Sequence, residues 1–371
     1  MIIAICIIVG ATMSLTQTSV VLASDDYNDE VDNDLKYTKN YGYCIVEGNA
    51  VVADYIGNSA NVKIPSRFGG KPVTAISLYN TKIETLDLTK CTKIKYIEIG
   101  GSNLEKIDLS ESINLTELHL GGNKIKRIDL SNNKKLKDVD LSYNKLTEIN
   151  LNNCASITKL SLDTNKLSRV NLTDCVDLVS LSCYSNKLKK INLKKNTKLK
   201  DLSLGGNRIK SINLKVNKSL RSLDIESNKL SSINLTKNSK LTSLYLSNNK
   251  LQNMNLSKNK SLFTIYLANN KLKKLSLTNL KKLENLDCSK NELSSLNINN
   301  NKKLVDLNCN NNNISTLNIE KNKELEYIDF SKNKGLSIEI KDGSSIYTLC
   351  YSPNKKVQKV SCPKSRVYKN A

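Results

Sequence analysis

Hydrophobic positions recur along most of this chain with a period of 21 residues. Each unit has six aliphatic positions, which around Asn249 are Leu244, Leu246, Leu251, Met254, Leu256 and Leu262. The same offsets counted from Asn123 give Leu118, Leu120, Ile125, Ile128, Leu130 and Leu136. A fixed period of this length predicts a solenoid, in which each unit is one coil packed on its neighbours, and it excludes a single compact globule.

Two aliphatic residues separated by one residue, as in Leu244 and Leu246, predict a short strand in every unit. In a strand both of these side chains point to one face, while the residue between them points to the other. Successive units would add parallel strands about 4.8 Å apart, so we expect one parallel sheet on the concave side. A coil of 21 residues has little room for a helix, so the convex side is predicted to consist of short extended or 3₁₀ segments.

An asparagine follows the predicted strand in every coil. This asparagine ladder consists of Asn123, Asn144, Asn165, Asn186, Asn207, Asn228, Asn249, Asn270, Asn291, Asn312 and Asn333. Upstream, Asn103 lies 20 residues before Asn123, and Asn80 lies 23 residues before Asn103. A turn inside a core leaves peptide groups without partners, at a cost of roughly 1–3 kcal/mol each. Because the asparagine side chain has both donors and an acceptor, we expect it to bond to the backbone of its own coil and of the neighbouring coil.

A second polar column lies ten residues after the ladder, and we expect it on the convex side. Its members are Asn133, Cys154, Cys175, Asn196, Asn217, Asn238, Asn259, Leu280, Asn301 and Asn322.

The pattern LxxLxLxxNxLxxLxLxxNxxL resembles the bacterial leucine-rich repeats of the internalin type, in their 21-residue form, over about residues 76–356. The segment LENLDCSKNELSSLNINNNKKLVDLNC is similar in a further respect, because some internalin-like proteins have cysteine at the strand position held here by Cys288 and Cys309. The resemblance implies an α/β-type leucine-rich repeat solenoid that is in practice mostly β. It also implies a secreted or surface-bound binding protein that is not an enzyme and needs no cofactor.

The segments before and after the repeats are expected to have different structures and roles. Residues 41–75 resemble the BspA-like surface repeats through YCIVEGNAVVADYIGNSANVKIPSRFGGKPVTAI and are expected to form an N-terminal cap. Residues 1–23 resemble a secretory signal, residues 24–40 form an acidic linker, and residues 357–371 form a C-terminal cap or tail. We expect a secreted or cell-surface monomer with no membrane span after signal cleavage.

A row of cations follows the asparagine ladder, in a chain whose net charge is +22. This basic edge consists of Lys124, Lys145, Lys166, Lys187, Arg208, Lys229, Lys250 and Lys271. Like charges about 4.8 Å apart repel one another, and an anionic polymer such as a teichoic acid or an acidic glycan would relieve the repulsion. The alternative is a solubilising turn position. Nucleic acid is not an expected partner, because no groove-reading element and no basic–aromatic interleaving are present.

The residues between the strand leucines are predicted to face outward on the concave sheet. They are His119, Asp140, Ser161, Ser182, Ser203, Asp224, Tyr245, Tyr266, Asp287, Asn308 and Asp329. Tyrosines flanked by acids are typical of a hot spot for a protein or glycan, whereas ordinary cross-strand packing is the alternative. The candidate binding residues, called the concave patch below, are Asp224, Tyr245, Tyr266, Asp287 and Asp306.

Catalytic chemistry is not expected, because no nucleophile can be paired with a base from the spacing. The single histidine, His119, shares its predicted columns with Glu117, Asp138 and Asp140. A divalent-cation site is the alternative there, but we expect a solvated polar face and no metal site.

Most of the cysteines occupy positions that predict burial as free thiols. Cys183, Cys288 and Cys309 replace core leucines, whereas Cys91, Cys154 and Cys175 lie in the convex column. Near the C-terminus, Cys350 and Cys362 could instead form a disulfide around the last turn.

Overall fold

The computed structural model describes residues 35–333, Leu336 and residues 345–351, together with the backbone of residues 5–6, 21–22 and 366–369. The predicted signal peptide, most of the acidic linker, most of the C-terminal tail and Cys362 lie outside the described residues. Within the described part of the chain, no helix is long and apolar enough to cross a membrane.

The strands are numbered in chain order. They are β1 Ile5–Cys6, β2 Val21–Leu22, β3 Lys36–Tyr37, β4 Tyr41–Val46, β5 Asn49–Tyr55, β6 Asn61–Lys63, β7 Arg67–Phe68, β8 Lys71–Tyr79, β9 Thr85–Asp87, β10 Tyr96–Gly100, β11 Lys106–Ile107, β12 Glu117–His119, β13 Arg127–Asp129, β14 Asp138–Asp140, β15 Glu148–Asn150, β16 Lys159–Ser161, β17 Ser180–Ser182, β18 Asp201–Ser203, β19 Ser222–Asp224, β20 Ser243–Tyr245, β21 Thr264–Tyr266, β22 Asn285–Asp287, β23 Asp306–Asn308, β24 Tyr327–Asp329, β25 Thr348–Tyr351 and β26 Arg366–Lys369.

The main sheet is parallel from β8 onward and follows the chain through β10, β12, β14 and then β16 to β26. Neighbouring strands pair with a shift of one coil, so that Leu118 lies opposite Val139 and Leu244 lies opposite Ile265. This register stacks equivalent aliphatic side chains, and all four of these residues are at most 1% exposed. The predicted mostly-β leucine-rich repeat solenoid, with a continuous parallel sheet, is confirmed.

The short strand β3 begins the main sheet and pairs antiparallel with β4. β4 forms an antiparallel hairpin with β5, and β5 then pairs in parallel with β8. The ring of Phe68 lies 5.4 Å from that of Tyr41 and 5.0 Å from that of Tyr43. These aromatic rings cover the first coil, which has no preceding coil to pack against, and β3 with the hairpin extends the sheet beyond that coil.

The convex side carries two narrow parallel sheets near the N-terminus, β6–β9–β11 and β13–β15. Further along the described chain, convex asparagines connect successive coils. For example, Asn196 Nδ2 donates to Leu172 O at 3.0 Å and to Cys175 O at 2.7 Å. Short extended segments therefore form this side, held to one another by side-chain amides.

Each member of the asparagine ladder is buried, between 3% and 8% exposed, and joins two coils. Its Nδ2 donates to a carbonyl 24 residues earlier and to one three residues earlier in its own coil, as Asn144 does to Leu120 O and Leu141 O. Its Oδ1 accepts from a backbone N–H 19 residues earlier, which for Asn144 is that of Ile125, at 3.0 Å. The ladder thus satisfies donors and acceptors on both sides of the turn that follows each strand.

Asn80 and Asn103 do not continue the ladder, because Asn80 is exposed and Asn103 is only half-buried. Ser102, 7% exposed, takes the ladder position in its coil. The Thr81 N–H donates to Ser102 Oγ at 2.9 Å, and Ser102 Oγ donates to Gly100 O at 3.2 Å. A hydroxyl therefore replaces the amide in the first coils.

The residue before each ladder asparagine has a left-handed backbone. Examples are Tyr143 with φ 54°, Thr164 with φ 51° and Gly206 with φ 65°. Its N–H donates to a carbonyl of the next coil, as from Thr164 to Tyr184 O at 2.8 Å. Since a β-branched residue rarely adopts positive φ, the sharp turn imposes this conformation on Thr164 against its own preference.

Candidate functional site

Three columns of side chains cover the concave surface of the main sheet. The first contains Tyr96, Glu117, Asp138, Lys159, Ser180, Asp201, Ser222, Ser243, Thr264, Asn285, Asp306 and Tyr327. The second contains Glu98, His119, Asp140, Ser161, Ser182, Ser203, Asp224, Tyr245, Tyr266, Asp287, Asn308 and Asp329. The third follows each strand and contains Gly100, Gly121, Ser142, Asp163, Tyr184, Gly205, Glu226, Ser247, Ala268, Ser289, Asn310 and Ser331.

These concave columns are acidic although the chain as a whole is strongly basic. Their acidic members are Glu98, Glu117, Asp138, Asp140, Asp163, Asp201, Asp224, Glu226, Asp287, Asp306 and Asp329. Their cationic or titratable basic members are Lys159 and His119 alone. Because the net charge of the chain is +22, nearly all of its cations lie outside these columns.

The two tyrosines of the concave patch pack edge to face, with ring centroids 5.3 Å apart and an interplanar angle of 81°. Register places Asp224, Tyr245, Tyr266 and Asp287 opposite one another on four successive strands. Tyr266 remains 40% exposed. Burial raises the pKa of Tyr266, and Tyr245, Asp306 and Asp287 raise it further. The structure therefore brings the five residues of the concave patch together.

Asp224 is held in place by hydrogen bonds on both oxygens. Its Oδ1 accepts from the Glu226 N–H at 3.0 Å, and its Oδ2 accepts from Ser203 Oγ at 3.1 Å. Burial raises the pKa of Asp224, whereas these hydrogen bonds lower it. This carboxylate has a fixed orientation at the concave surface.

Tyr184 extends the patch in a way that the sequence did not indicate. Its OH donates to Glu226 Oε1 at 3.2 Å, two coils further along, and its N–H donates to Asp163 Oδ1 at 2.6 Å. The ring lies across Gly205, where a Cβ atom would be 2.5 Å from Tyr184 Cε2. Tyr184, Asp163 and Glu226 belong to the third column, so counting 21 residues along that column would have found them.

At the N-terminal end of the concave face, Asp138 is paired with basic side chains of the same face. His119 Nε2 lies 3.7 Å from Asp138 Oδ1, and Lys159 Nζ lies 3.2 Å from Asp138 Oδ2. The contact with Asp138 raises the pKa of His119 against the effect of burial. The same contact is the largest cause of the lowered pKa of Asp138.

The candidate divalent-cation site of His119, Glu117, Asp138 and Asp140 does not form a cluster. Over the described residues, no group of three or more His, Cys, Asp or Glu side chains could hold a metal ion. Asp138, the carboxylate nearest to His119, instead faces the two cations His119 and Lys159.

The basic edge lies beside the ladder and is mostly open to solvent. Lys124 is half-buried, and the other seven members are exposed. The ion pairs found in residues 35–333 are Lys63–Asp87, His119–Asp138, Arg127–Glu148, Lys159–Asp138 and Lys198–Asp177, and none of them includes a member of this edge.

The cysteines within the coils are buried free thiols: Cys91, Cys154, Cys175, Cys183, Cys288 and Cys309. Burial raises the pKa of Cys91 and of Cys154 to about 11, and that of Cys175 to about 12. Such thiols remain protonated and unreactive near neutral pH. The pairing of Cys350 with Cys362 stays a prediction, because Cys362 lies outside the described residues.

A family model described as Leucine Rich repeat matches residues 111–131, 195–211 and 237–253. The structure is similar to the functional domain of InlJ from Listeria monocytogenes, which includes a cysteine ladder, with 26% identity and a TM-score of 0.69 over 76% of this chain and 62% of that one. This chain thus spans less than two thirds of the InlJ structure.

Two other solved structures extend the comparison. The internalin InlF from Listeria monocytogenes gives 25% identity and a TM-score of 0.68, over 74% of this chain and 85% of that one. The leucine-rich repeat protein LIC12759 from Leptospira interrogans, at 23% identity and a TM-score of 0.63 over 71% of this chain and 79% of that one, shows the shared fold alone. No curated protein matches this sequence.

Proposed function

We propose that this chain, an internalin-like leucine-rich repeat protein, is a non-enzymatic binding protein, secreted or at the cell surface, that recognises a protein or a glycan through its concave face. Internalin-like proteins are typically protein-binding surface proteins, which supports the class of function. The observation that carries the site is the edge-to-face pair of Tyr245 and Tyr266, set between Asp224 and Asp287 on a continuous sheet.

The concave patch combines two properties that favour recognition. Tyrosine offers a large, stiff contact area together with a hydroxyl, which is why it is enriched at binding hot spots. The sheet below it is rigid, because each strand is hydrogen-bonded on both sides and each following turn is fixed by a ladder asparagine such as Asn249 or Asn270. A partner would therefore meet a preformed surface and lose less entropy on binding.

The test compares capture from a cell-surface extract by the wild type and by the Tyr245→Ala/Tyr266→Ala variant. A Tyr143→Asn variant is the matched control, because Tyr143 is 66% exposed, lies outside the concave columns and has a positive φ that asparagine tolerates. We expect the extract to contain molecules that bind to the wild type and to the control but not to the double variant. Equal capture by all three would contradict the proposed site, and finding the protein only inside fractionated cells would contradict the proposed location.

The second candidate function is binding of an anionic polymer, a teichoic acid or an acidic glycan, through the basic edge. The supporting observation is that no ion pair in residues 35–333 includes a member of this edge. Polyanion binding by such a row would weaken in about 1 M NaCl, where the Debye length is only about 3 Å.

The test of the second candidate replaces four edge lysines by glutamine, at Lys166, Lys187, Lys229 and Lys250. A control variant with glutamine at Lys281, Lys282, Lys302 and Lys303 has the same net charge, and these four exposed lysines lie away from the edge. We expect cosedimentation with purified teichoic acid to fall in the first variant only. Equal loss in both variants would show that total charge, and not the edge, determines binding.

A further inference from the structure

The charge on the concave face is one-sided and only partly compensated by the protein itself. Asp138 faces both His119 and Lys159. By contrast, within residues 35–333 no cation lies within ion-pair distance of the central concave carboxylates, which are Asp163, Asp201, Asp224, Glu226, Asp287 and Asp306. Positive charge therefore has to come from elsewhere if these carboxylates are to be paired.

The central carboxylates surround exposed aromatic rings. Tyr184, 37% exposed, is bonded to Glu226, and Tyr266, 40% exposed, lies near Asp287 and Asp306. An aromatic face next to carboxylates suits an arginine, because the guanidinium stacks on the ring while its N–H groups donate to the carboxylate oxygens. Lysine fits less completely, since its ammonium is a point charge without a flat face.

We propose that the partner presents a cationic, arginine-bearing segment of a protein, which lies along the solenoid axis over the concave carboxylates from Asp163 to Asp306. This inference rests on the proposed function and specifies the chemistry of its partner. The cations of the segment meet Asp224, Asp287 and Asp306, and its guanidinium groups stack on Tyr245 and Tyr266. Neighbouring coils are about 4.8 Å apart, and an extended chain advances about 3.3–3.6 Å per residue. Basic residues at every third position of such a segment would therefore meet every second coil.

The test measures binding of a fluorescein-labelled decaarginine peptide by fluorescence anisotropy in about 0.15 M NaCl, where the Debye length is about 8 Å. The test variant is Asp224→Asn/Asp287→Asn/Asp306→Asn. Asparagine keeps the local fold, because Asn308, in the same column as Asp224 and Asp287, accepts a hydrogen bond from the backbone two residues on, as they do.

The matched control is Glu111→Gln/Glu292→Gln/Glu324→Gln, which changes the net charge equally at exposed positions outside the concave columns. We expect the wild type and the control to bind alike, and the test variant to bind roughly tenfold more weakly. Equal binding by the test variant and the control would overturn the proposal. If the test variant has a lower melting temperature than the wild type, the Asp287→Asn/Asp306→Asn variant replaces it. We expect this double variant to lose less affinity for the peptide than the triple variant. An unchanged affinity would count against the proposal.

Two outcomes separate this inference from its alternatives. If a captured partner is lost with Tyr245→Ala/Tyr266→Ala but is retained by the aspartate variant, the proposed function stands and the cationic partner is wrong. The second outcome is that the purified wild type self-associates in analytical ultracentrifugation, whereas the Asp224→Asn/Asp287→Asn/Asp306→Asn variant does not. In that case the cations belong to the basic edge of a second copy, and the proposal of a separate protein partner is overturned.

Discussion

The side-chain amide of Asn228 donates a hydrogen bond to the carbonyl of Leu204, 24 residues earlier, at 2.9 Å. The same amide accepts from the Ile209 N–H at 2.9 Å and donates within its own coil to Glu226 O at 3.0 Å. It also donates to Ile225 O at 3.4 Å, so one side chain serves four backbone groups in two coils. The stability of the turn depends on this amide more than on any exposed neighbour.

Asn228→Ala is expected to lower the free energy of unfolding by roughly 1–3 kcal/mol, because it leaves buried peptide groups without partners. Urea unfolding followed by circular dichroism measures the loss. Lys229→Ala, at the adjacent exposed position, is the control and should be nearly neutral. Identical unfolding curves for Asn228→Ala and the wild type would contradict the role of the ladder.

Thr164→Asn is expected to raise stability by about 0.5–1 kcal/mol, since a β-branched residue is disfavoured at positive φ and asparagine tolerates it. Asn248, Asn269 and Asn311 already occupy the equivalent position with φ between 51° and 58°. The control, Thr197→Asn, changes an exposed threonine that does not have positive φ and should have little effect. A lower midpoint in thermal unfolding for Thr164→Asn than for the control would refute the expectation.

Gly205→Ala is expected to displace the Tyr184 ring and to destabilise the protein by about 1–3 kcal/mol, as overpacking does. The added Cβ would lie 2.5 Å from Tyr184 Cε2, and it would lie 3.2 Å from Glu226 Cγ. Gly121→Ala is the control in the same column, because its nearest contacts are at 3.4 Å. Adding Tyr184→Ala should remove most of the penalty of Gly205→Ala, and a penalty that persists there would argue against this contact as its cause.

His119 should make stability depend on pH. Its pKa is raised in the folded protein, chiefly by the contact with Asp138. The stabilisation is therefore complete below the unfolded pKa, which is about 6.5, and it is lost as the pH rises through the folded pKa.

Urea midpoints measured across this pH range should fall on going from acid to alkaline pH in the wild type, and should vary less in His119→Gln. Because His119 is the single histidine of the chain, its ring proton signal in an NMR titration gives the folded pKa directly. A folded pKa at or below the unfolded value would contradict the contact with Asp138.

The sequence period was sufficient to predict the coils and the parallel sheet, because burial repeats with the period. Leu118, Leu244 and Ile265 occupy equivalent positions and are all fully buried. The first coils were harder to predict, since there the residue type changes while the spacing does not. Ser102 stands 21 residues before Asn123, and Thr81 stands 21 residues before Ser102, so position and not asparagine was the informative signal.

Three features of the structure could not be read from residue types. The left-handed position holds residues as different as Tyr143, Thr164 and Lys290, so its composition carries little signal. The contact of Tyr184 with Gly205 depends on how a ring lies across the next coil, which spacing alone does not determine. The neutralisation of Asp138 by Lys159 likewise depends on a side chain from the adjacent strand.

The repetition of the same bonds at Asn144, Asn228 and Asn312 has an evolutionary consequence. Each coil is hydrogen-bonded to its neighbour through the same atoms. An in-frame duplication or loss of one whole 21-residue unit therefore leaves coils whose donors and acceptors still pair. The gain or loss of a unit would therefore lengthen or shorten the molecule in steps of about 4.8 Å, and related genes are expected to differ in unit number before they differ in architecture.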